Sequence, residues 1–265
     1  MTTAPAATRA NPFPVSWATR VAWIGLGLYT LYAASLLEIT WERFVYGLGN
    51  GARFIGRMLP PDFTPSHMEL LGRGLAESLE IAVIATVFGI ILSLPVALAA
   101  SRNLMPTWAT WPARAFIALC RSFHPVIVAI LFVKAVGFGA IAGILALIVA
   151  SVGFIAKLFA EAIEEISLKQ VEAVRATGAS FMNVIFMAVV PQVLARFTGF
   201  ATYQLDSNLR NSTMVGIVGG GGIGSTLFTA FQKFDYDFVL TILLAIIAII
   251  FLGEILAGWV RKTFQ

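Results

Sequence analysis

The chain has 265 residues, 58% of them hydrophobic and only 12% charged. Ordinary soluble domains carry about 25% charge, so the composition disfavours a single water-soluble core and favours a helical membrane domain with short loops. A net charge of +4, dispersed along the chain, does not suit nucleic-acid binding, and a single cysteine, Cys120, excludes an internal disulfide and a cysteine-only metal cage.

Residues 1–16 are rich in Ala, Thr and Pro and read as a flexible cytoplasmic tail. Residues 17–265 read as one transmembrane domain. A bilayer-spanning helix needs about 20 mostly apolar residues. Val21–Leu37 meets this with Ala18 and Thr19 before it, and no small-x-small cleavage site closes it, so it reads as an uncleaved first span. Trp41–Leu59 follows, with Trp41, Phe44, Val45, Leu48, Ala52, Ile55 and Leu59 at helical spacing. Its Gly47, Gly49, Gly51 and Gly56 lower helicity, leaving two readings, a helix lying in the headgroup region or a folded loop.

Further spans are expected at Ile81–Ala100, Ala113–Val136, Phe138–Ala156, Phe181–Leu205 and Phe238–Val260, six in all. Ser66 and Glu69 have capping-box spacing before the second. A tight Gly137–Gly139 turn precedes the fourth, Pro191 and Arg196 interrupt the fifth, and Glu254 in the sixth reads as an interhelical hydrogen-bonding residue. With the N-terminus inside, inner segments hold ten basic residues against eight outside. Setting aside Arg43, Arg53, Arg57 and Arg73 of the first outer segment, and Arg196 within a span, leaves ten against three. That bias puts both termini in the cytoplasm.

Between the fourth and fifth spans lies a polar, helix-prone island, Glu172 to Gly178, at the end of the charged segment that starts at Lys157. Glu165 and Lys169 have i,i+4 spacing, Ala173 and Ala176 are small, and Gly178 suits the left-handed residue that ends a helix. Spacing alone fits a solvated loop helix. Further on, Asn211–Gln232 carries no charge, but Gly219, Gly220, Gly221 and Gly222 in succession oppose a lone helix. Irregular backbone survives at membrane depth only where protein covers it, so a broken or re-entrant element packed in the bundle is expected. Gly216, Gly220 and Gly224 are spaced for close helix contact. Gly219, Gly221 and Gly224 also fit a dinucleotide fingerprint, but no βαβ pattern surrounds them. Before the glycines stand Asp206, Asn208, Arg210, Asn211, Ser212 and Thr213. Arg210 has two readings: lining an anion's passage, with Ser212, Thr213 and the glycines as path or gate, or pairing with Asp206 one turn away. His67 and His124 have no metal-ligand pattern around them.

The island Glu172-Ala173, Gly178 and Pro191 resembles the signature of permeases of ATP-binding cassette importers: Glu-Ala-Ala, three residues, Gly, nine residues, Ile-x-Leu-Pro. Val174, Ala188 and Val190 replace signature residues with apolar ones. The segments Phe54–Phe63 (with Pro60-Pro61-Asp62-Phe63), Glu77–Glu80, Lys157–Glu164, Asn208–Arg210 and Val215–Gly224 are similar to the phosphonate transport (PhnE-like) permease family. Ser122-Phe123-His124-Pro125 departs from it, since relatives commonly place an acidic residue after Pro.

The resemblance implies an all-α integral membrane protein of the type I, binding-protein-dependent importer-permease fold, with a cytoplasmic coupling helix about residues 165–180. It assigns Glu172, Ala173 and Gly178 to ATPase coupling. It implies a second permease copy, two cytoplasmic ATPase subunits that bind the ATP and Mg, and an extracytoplasmic solute-binding protein, in a bacterial inner membrane. The chain itself would hold no cofactor, metal or catalytic site, and would move phosphonate or a related small oxyanion. Alternatives are phosphite, a phosphate ester or methionine as solute, or a secondary transporter working without an ATPase. The absence of an evident inverted repeat weakens that last reading.

Overall fold

The computed structural model describes residues 16–37 and 40–264; the expected tail lies outside them except for Ser16. The described elements are all helices: α1 (Trp17–Leu36), α2 (Trp41–Arg57), α3 (Pro65–Ala100), α4 (Thr107–Ser122), α5 (Pro125–Val136), α6 (Ala140–Glu164), α7 (Leu168–Ala176), α8 (Phe181–Val184), a π turn (Ile185–Val189), α9 (Val190–Ile217), α10 (Ile223–Gln232) and α11 (Tyr236–Phe264). Four stretches are long and apolar enough to cross a bilayer alone: Pro65–Ala100, Ala140–Glu164, Phe181–Ile217 and Tyr236–Trp259. The pairs α1–α2 and α4–α5, bent by 64° and 89°, bring the total to six if each is one span.

The chain divides into two compact units at Gly56/Arg57. In the first, α1 is long enough, at about 1.5 Å per residue, to match a hydrocarbon layer of about 30 Å. Trp41–Leu59, with helix and loop both open, is helical from Trp41 to Arg57 and exposes Trp41, Phe44, Val45, Leu48 and Ile55.

In the second unit several expectations are corrected. Ala113–Val136 is not one straight helix. The chain is extended at Phe123 and His124, and Pro125 starts a new helix, because proline has no N–H to donate and disfavours α geometry in the residue before it. Ser66 does not cap α3: Thr64 is the cap residue, Pro65 takes the first helical position, and Glu69 pairs with Arg73 instead. Pro191 does not interrupt the fifth span. The chain widens into the π turn just before it, Val190 N–H bonds Ile185 O, and the helix runs on past Leu205 to Ile217. A π turn of this kind accommodates the carbonyl that proline cannot serve.

Small residues bring the central helices together. Ala82, Ala85, Gly89, Ser93, Ala97 and Ala100 are buried along one side of α3, and Gly89 faces Ser151 of α6 so closely that an added Cβ would lie 2.5 Å from the serine Cβ. Apolar attraction between helices is weak in lipid, so close packing and interhelical hydrogen bonds must hold them. Both are present here. Asn208 of α9, fully buried, donates to Thr86 Oγ1 of α3 and Ser151 Oγ of α6, each at 2.9 Å. Gln204 Nε2, one turn earlier, donates to Ser151 Oγ at 2.9 Å and Asn208 Oδ1 at 3.0 Å. Glu254, expected to bond between helices, is exposed on α11.

At one end of this bundle, Asp62 holds the start of α3. It accepts from Thr64 N–H at 2.8 Å and contacts His67 Nδ1 at 2.5 Å, and Thr241 of α11 donates to its backbone carbonyl. The Thr64 N–H bond, helped by His67, holds the Asp62 carboxyl below the usual carboxylate range. That contribution is present above the ordinary value of 3.8 and is lost as acid carries pH down through the lowered one. His67 also stacks on Phe238 at 4.1 Å, so its role here is structural.

Replacing Asn208 with Ala removes the bonds that join α9 to Thr86 of α3 and Ser151 of α6 and opens a small void, although Thr86 keeps Ala82 O and Ser151 keeps Gln204 as partners. Equilibrium unfolding in mixed detergent should read a loss of about 1–2 kcal/mol, whereas Ser122→Ala, whose exposed hydroxyl bonds only its own helix, should read no change.

Candidate functional site

At the end where α6 stops, the sequence turns sharply. Glu165 closes α6, Ser167 precedes α7, and α7 runs only nine residues. Val171 is the one α7 residue fully buried, at 1% exposure, packed with Ala162, Ile163, Val184, Ala188, Val189 and Val193. Glu172 and Ala173 are exposed. The short helix is thus plugged by one valine into α6, the π turn and the first turn of α9, and it offers its opposite face outward. Gly178 follows at φ 77°, its N–H bonded to Arg175 O at 3.0 Å, with open space where a Cβ would stand. Sterics do not require glycine there; the left-handed backbone does.

Polar ties fix this end to its neighbours. Ser167 N–H donates to Gln192 Oε1 at 2.9 Å. Asn103 Nδ2 donates to Ile163 O at 2.7 Å, and Arg114 pairs with Glu164 at 2.6 Å. The expected Glu165–Lys169 support is not formed, because Glu165 ends α6 while Lys169 belongs to α7. Glu165 pairs instead with Arg196 of α9. Arg196, counted above on the opposite side, therefore sits at the α7 end.

At the other end, α9 terminates at Ile217 and the chain re-enters helix at Ile223. The turn between is buried, as the packed broken element was expected to be. Gly219, Gly221 and Gly222 have φ of 98°, 79° and 72°. A Cβ on Gly221 would also lie 2.7 Å from Glu77 Oε1 and 2.8 Å from the Ala140 nitrogen. Ser78 of α3 accepts from Ile223 N–H at 2.8 Å and so caps α10 from a neighbouring helix. Gly139 N–H donates to Gly219 O at 2.9 Å, joining the Gly137–Gly139 turn to the glycine turn.

The remaining sequence-derived candidates separate. Ser212 is fully buried and donates to Leu209 O, while Gly220, Gly221 and Gly222 are buried in the turn. Arg210 is exposed and pairs with Asp206 at 2.5 Å, the second of its two readings; Thr213 is half-buried. The Thr86–Ser151–Gln204–Asn208 cluster was not anticipated as a unit. Its sequence signal is four amide or hydroxyl residues within otherwise apolar helices, but only the fold reveals that they meet.

The described residues thus form a bundle of long apolar helices with an outward-facing short helix at one end and a covered glycine turn at the other. Residues 76–265 match the family described as "Binding-protein-dependent transport system inner membrane component". The phosphate-import permease protein PhnE of Mycolicibacterium smegmatis is 42% identical over 207 residues, which are 78% of this chain and 39% of that protein. The phosphite transport system permease protein PtxC of Stutzerimonas stutzeri is 39% identical over 242 residues, 91% of this chain and 86% of that protein. Among solved structures, an inward-facing MetNI methionine ABC transporter chain matches with a TM-score of 0.67 at 25% identity, covering 77% of this chain and 100% of that one. The chain belongs to the family of binding-protein-dependent inner-membrane transport components, as a permease of the ABC importer class. The resemblance read from Glu172–Pro191 and the phosphonate-type segments is borne out at that level.

Gly221→Ala should strain the left-handed turn and press on α3 and α6 at once, at about 1–3 kcal/mol. Thermal unfolding in detergent should show a clear drop, against no change for Gly25→Ala, where nothing lies within 4 Å.

Proposed function

We propose that this permease carries a phosphonate, phosphite or phosphate-class oxyanion inward, driven by ATPase subunits that dock on α7. The observation that carries the coupling half is the Val171 plug with Glu172 and Ala173 facing outward. A partner pressing on α7 moves α6 and α9 together, because packed helices shift as units. Gly178 lets the chain leave α7 and enter α8 without a loose linker. The oxyanion half is supported by the printed names of the relatives, a phosphate-import and a phosphite permease.

In this reading both termini and α7 lie in the cytoplasm, as the basic-residue bias favours. Two copies of the chain form the pore, two ATPase subunits bind ATP and Mg below it, and a solute-binding protein delivers the anion from outside. The glycine turn, with Gly219–Gly222 and Ser212, is the rigid shoulder of the outer gate, and Arg210 and Thr213 line the approach to it. Arg210 held by Asp206 offers a fixed cationic edge rather than a free charge. No bond chemistry is assigned to this chain.

Reconstitution with the cognate ATPase and binding protein tests the reading. Methylphosphonate, phosphite or phosphate should stimulate ATP hydrolysis and methionine should not; stimulation by methionine alone would overturn the oxyanion assignment. Gly178→Val should leave the permease folded but abolish solute-stimulated hydrolysis, and unchanged stimulation would remove the coupling role. Arg210→Gln should lower uptake at subsaturating solute with assembly intact, whereas equal uptake would leave Arg210 as a helix-stabilising pair only.

A further inference from the structure

The helix α2 buries none of its residues. At 3.6 residues per turn, its Trp41, Phe44, Val45, Leu48, Ala52 and Ile55 fall within about 100° of the circumference. Glu42, Arg43, Asn50, Arg53 and Arg57 lie on the far side. Tyr46 and Phe54 are the aromatic residues outside the apolar stripe. Within the stripe Trp41 is 76% exposed, and Leu48 and Ile55 are 60% exposed each.

Such a helix has little to hold it in water. Of its 17 residues four are glycine, and nothing lies within 4 Å of where a Cβ on any of the four would stand. Each glycine costs about 1 kcal/mol relative to alanine, and isolated helices shorter than about 12–15 residues are marginal even when rich in alanine. An apolar surface must therefore cover the stripe.

The place of α2 in the chain says which surface. α1 is uncharged over residues 21–36 and matches the hydrocarbon layer in length, so α2 is not needed to complete that span. Glu42, Arg43, Arg53 and Arg57 oppose burying α2 as a crossing of its own. Only residues 37–40 separate the two helices, a reach of at most about 17 Å, which keeps Trp41 near the level where α1 leaves the lipid. Tryptophan favours that headgroup level. The two helices bend by 64°, so a tilt of about 25° in α1, ordinary for a membrane helix, lays α2 parallel to the surface.

We propose that α2 lies in the headgroup layer of the leaflet at which α1 ends, its apolar stripe against the acyl chains. The arginines on the far side then face lipid phosphates and water. A helix seated in this way sets the depth and tilt at which α1 crosses. Its partner is the lipid surface itself, neither a solute nor another protein.

Spin-label power saturation on the full chain in liposomes of phosphatidylcholine and phosphatidylglycerol tests this, with single cysteines in a Cys120→Ala background. Labels at Val45→Cys and Leu48→Cys should collide with oxygen rather than with an aqueous nickel chelate, at a depth of about 5–10 Å. Labels at Asn50→Cys and Arg53→Cys should show the reverse. The chelate at all four positions would place α2 in water, and oxygen at all four would place it across the bilayer. Neither reagent at Val45→Cys and Leu48→Cys would give the stripe to a protein. Each of these three results overturns the proposal. Detergent melting checks that the labelled chains are folded, and where they are not, the native chain decides. A phospholipid with a diazirine on its acyl chain should insert into the tryptic peptide 44–53, and no insertion there overturns the proposal.

Discussion

The Asn208 carboxamide, bonded at once to Thr86 and Ser151, is the constraint on which the rest of the bundle depends. Hydrocarbon gives helices little reason to associate, and an unpaired amide inside it is costly. Satisfying Asn208 fixes the register of α3, α6 and α9 relative to one another. Gly89 makes this possible by letting α6 approach until the Ser151 hydroxyl reaches both amides.

From that fixed centre the two ends of α6 and α9 acquire different characters. At one end α9 stops in a turn that protein covers on several sides, tied by Ser78 and Gly139. At the other, α6 and the π turn before α9 are bridged by α7, a helix of nine residues anchored by Val171 and otherwise facing outward. One end is therefore braced and the other presents a handle. In the proposed coupling, a load on α7 would pass into α6 and α9, the helices that the amide cluster joins.

Much of this was legible in the sequence because the signals are local. Long uncharged runs gave the helices, Gly178 announced a left-handed helix end, and consecutive glycines announced a turn that protein must cover. What was not legible depends on distance in the fold. Pro125 and Pro191 look alike as breakers, yet the first bends the chain by 89° and the second is absorbed by a π turn. Arg196 appeared to belong to the opposite side until its partner, Glu165, was known. Glu165 and Lys169 have helical spacing, but a helix end falls between them. Ser151 is visible as a polar residue in an apolar span, but its partners are not, because a lone serine there more often bonds its own backbone.

The central claim is that the outward face of α7 is where the ATPase docks, and cross-linking tests it most directly. In a Cys120→Ala background, Ala173→Cys on the full chain would be combined with single cysteines on the ATPase subunit. The account predicts a disulfide cross-link to the ATPase from Ala173→Cys and none from Val136→Cys, which is exposed beside the glycine turn. A cross-link from Val136→Cys and none from Ala173→Cys would contradict it.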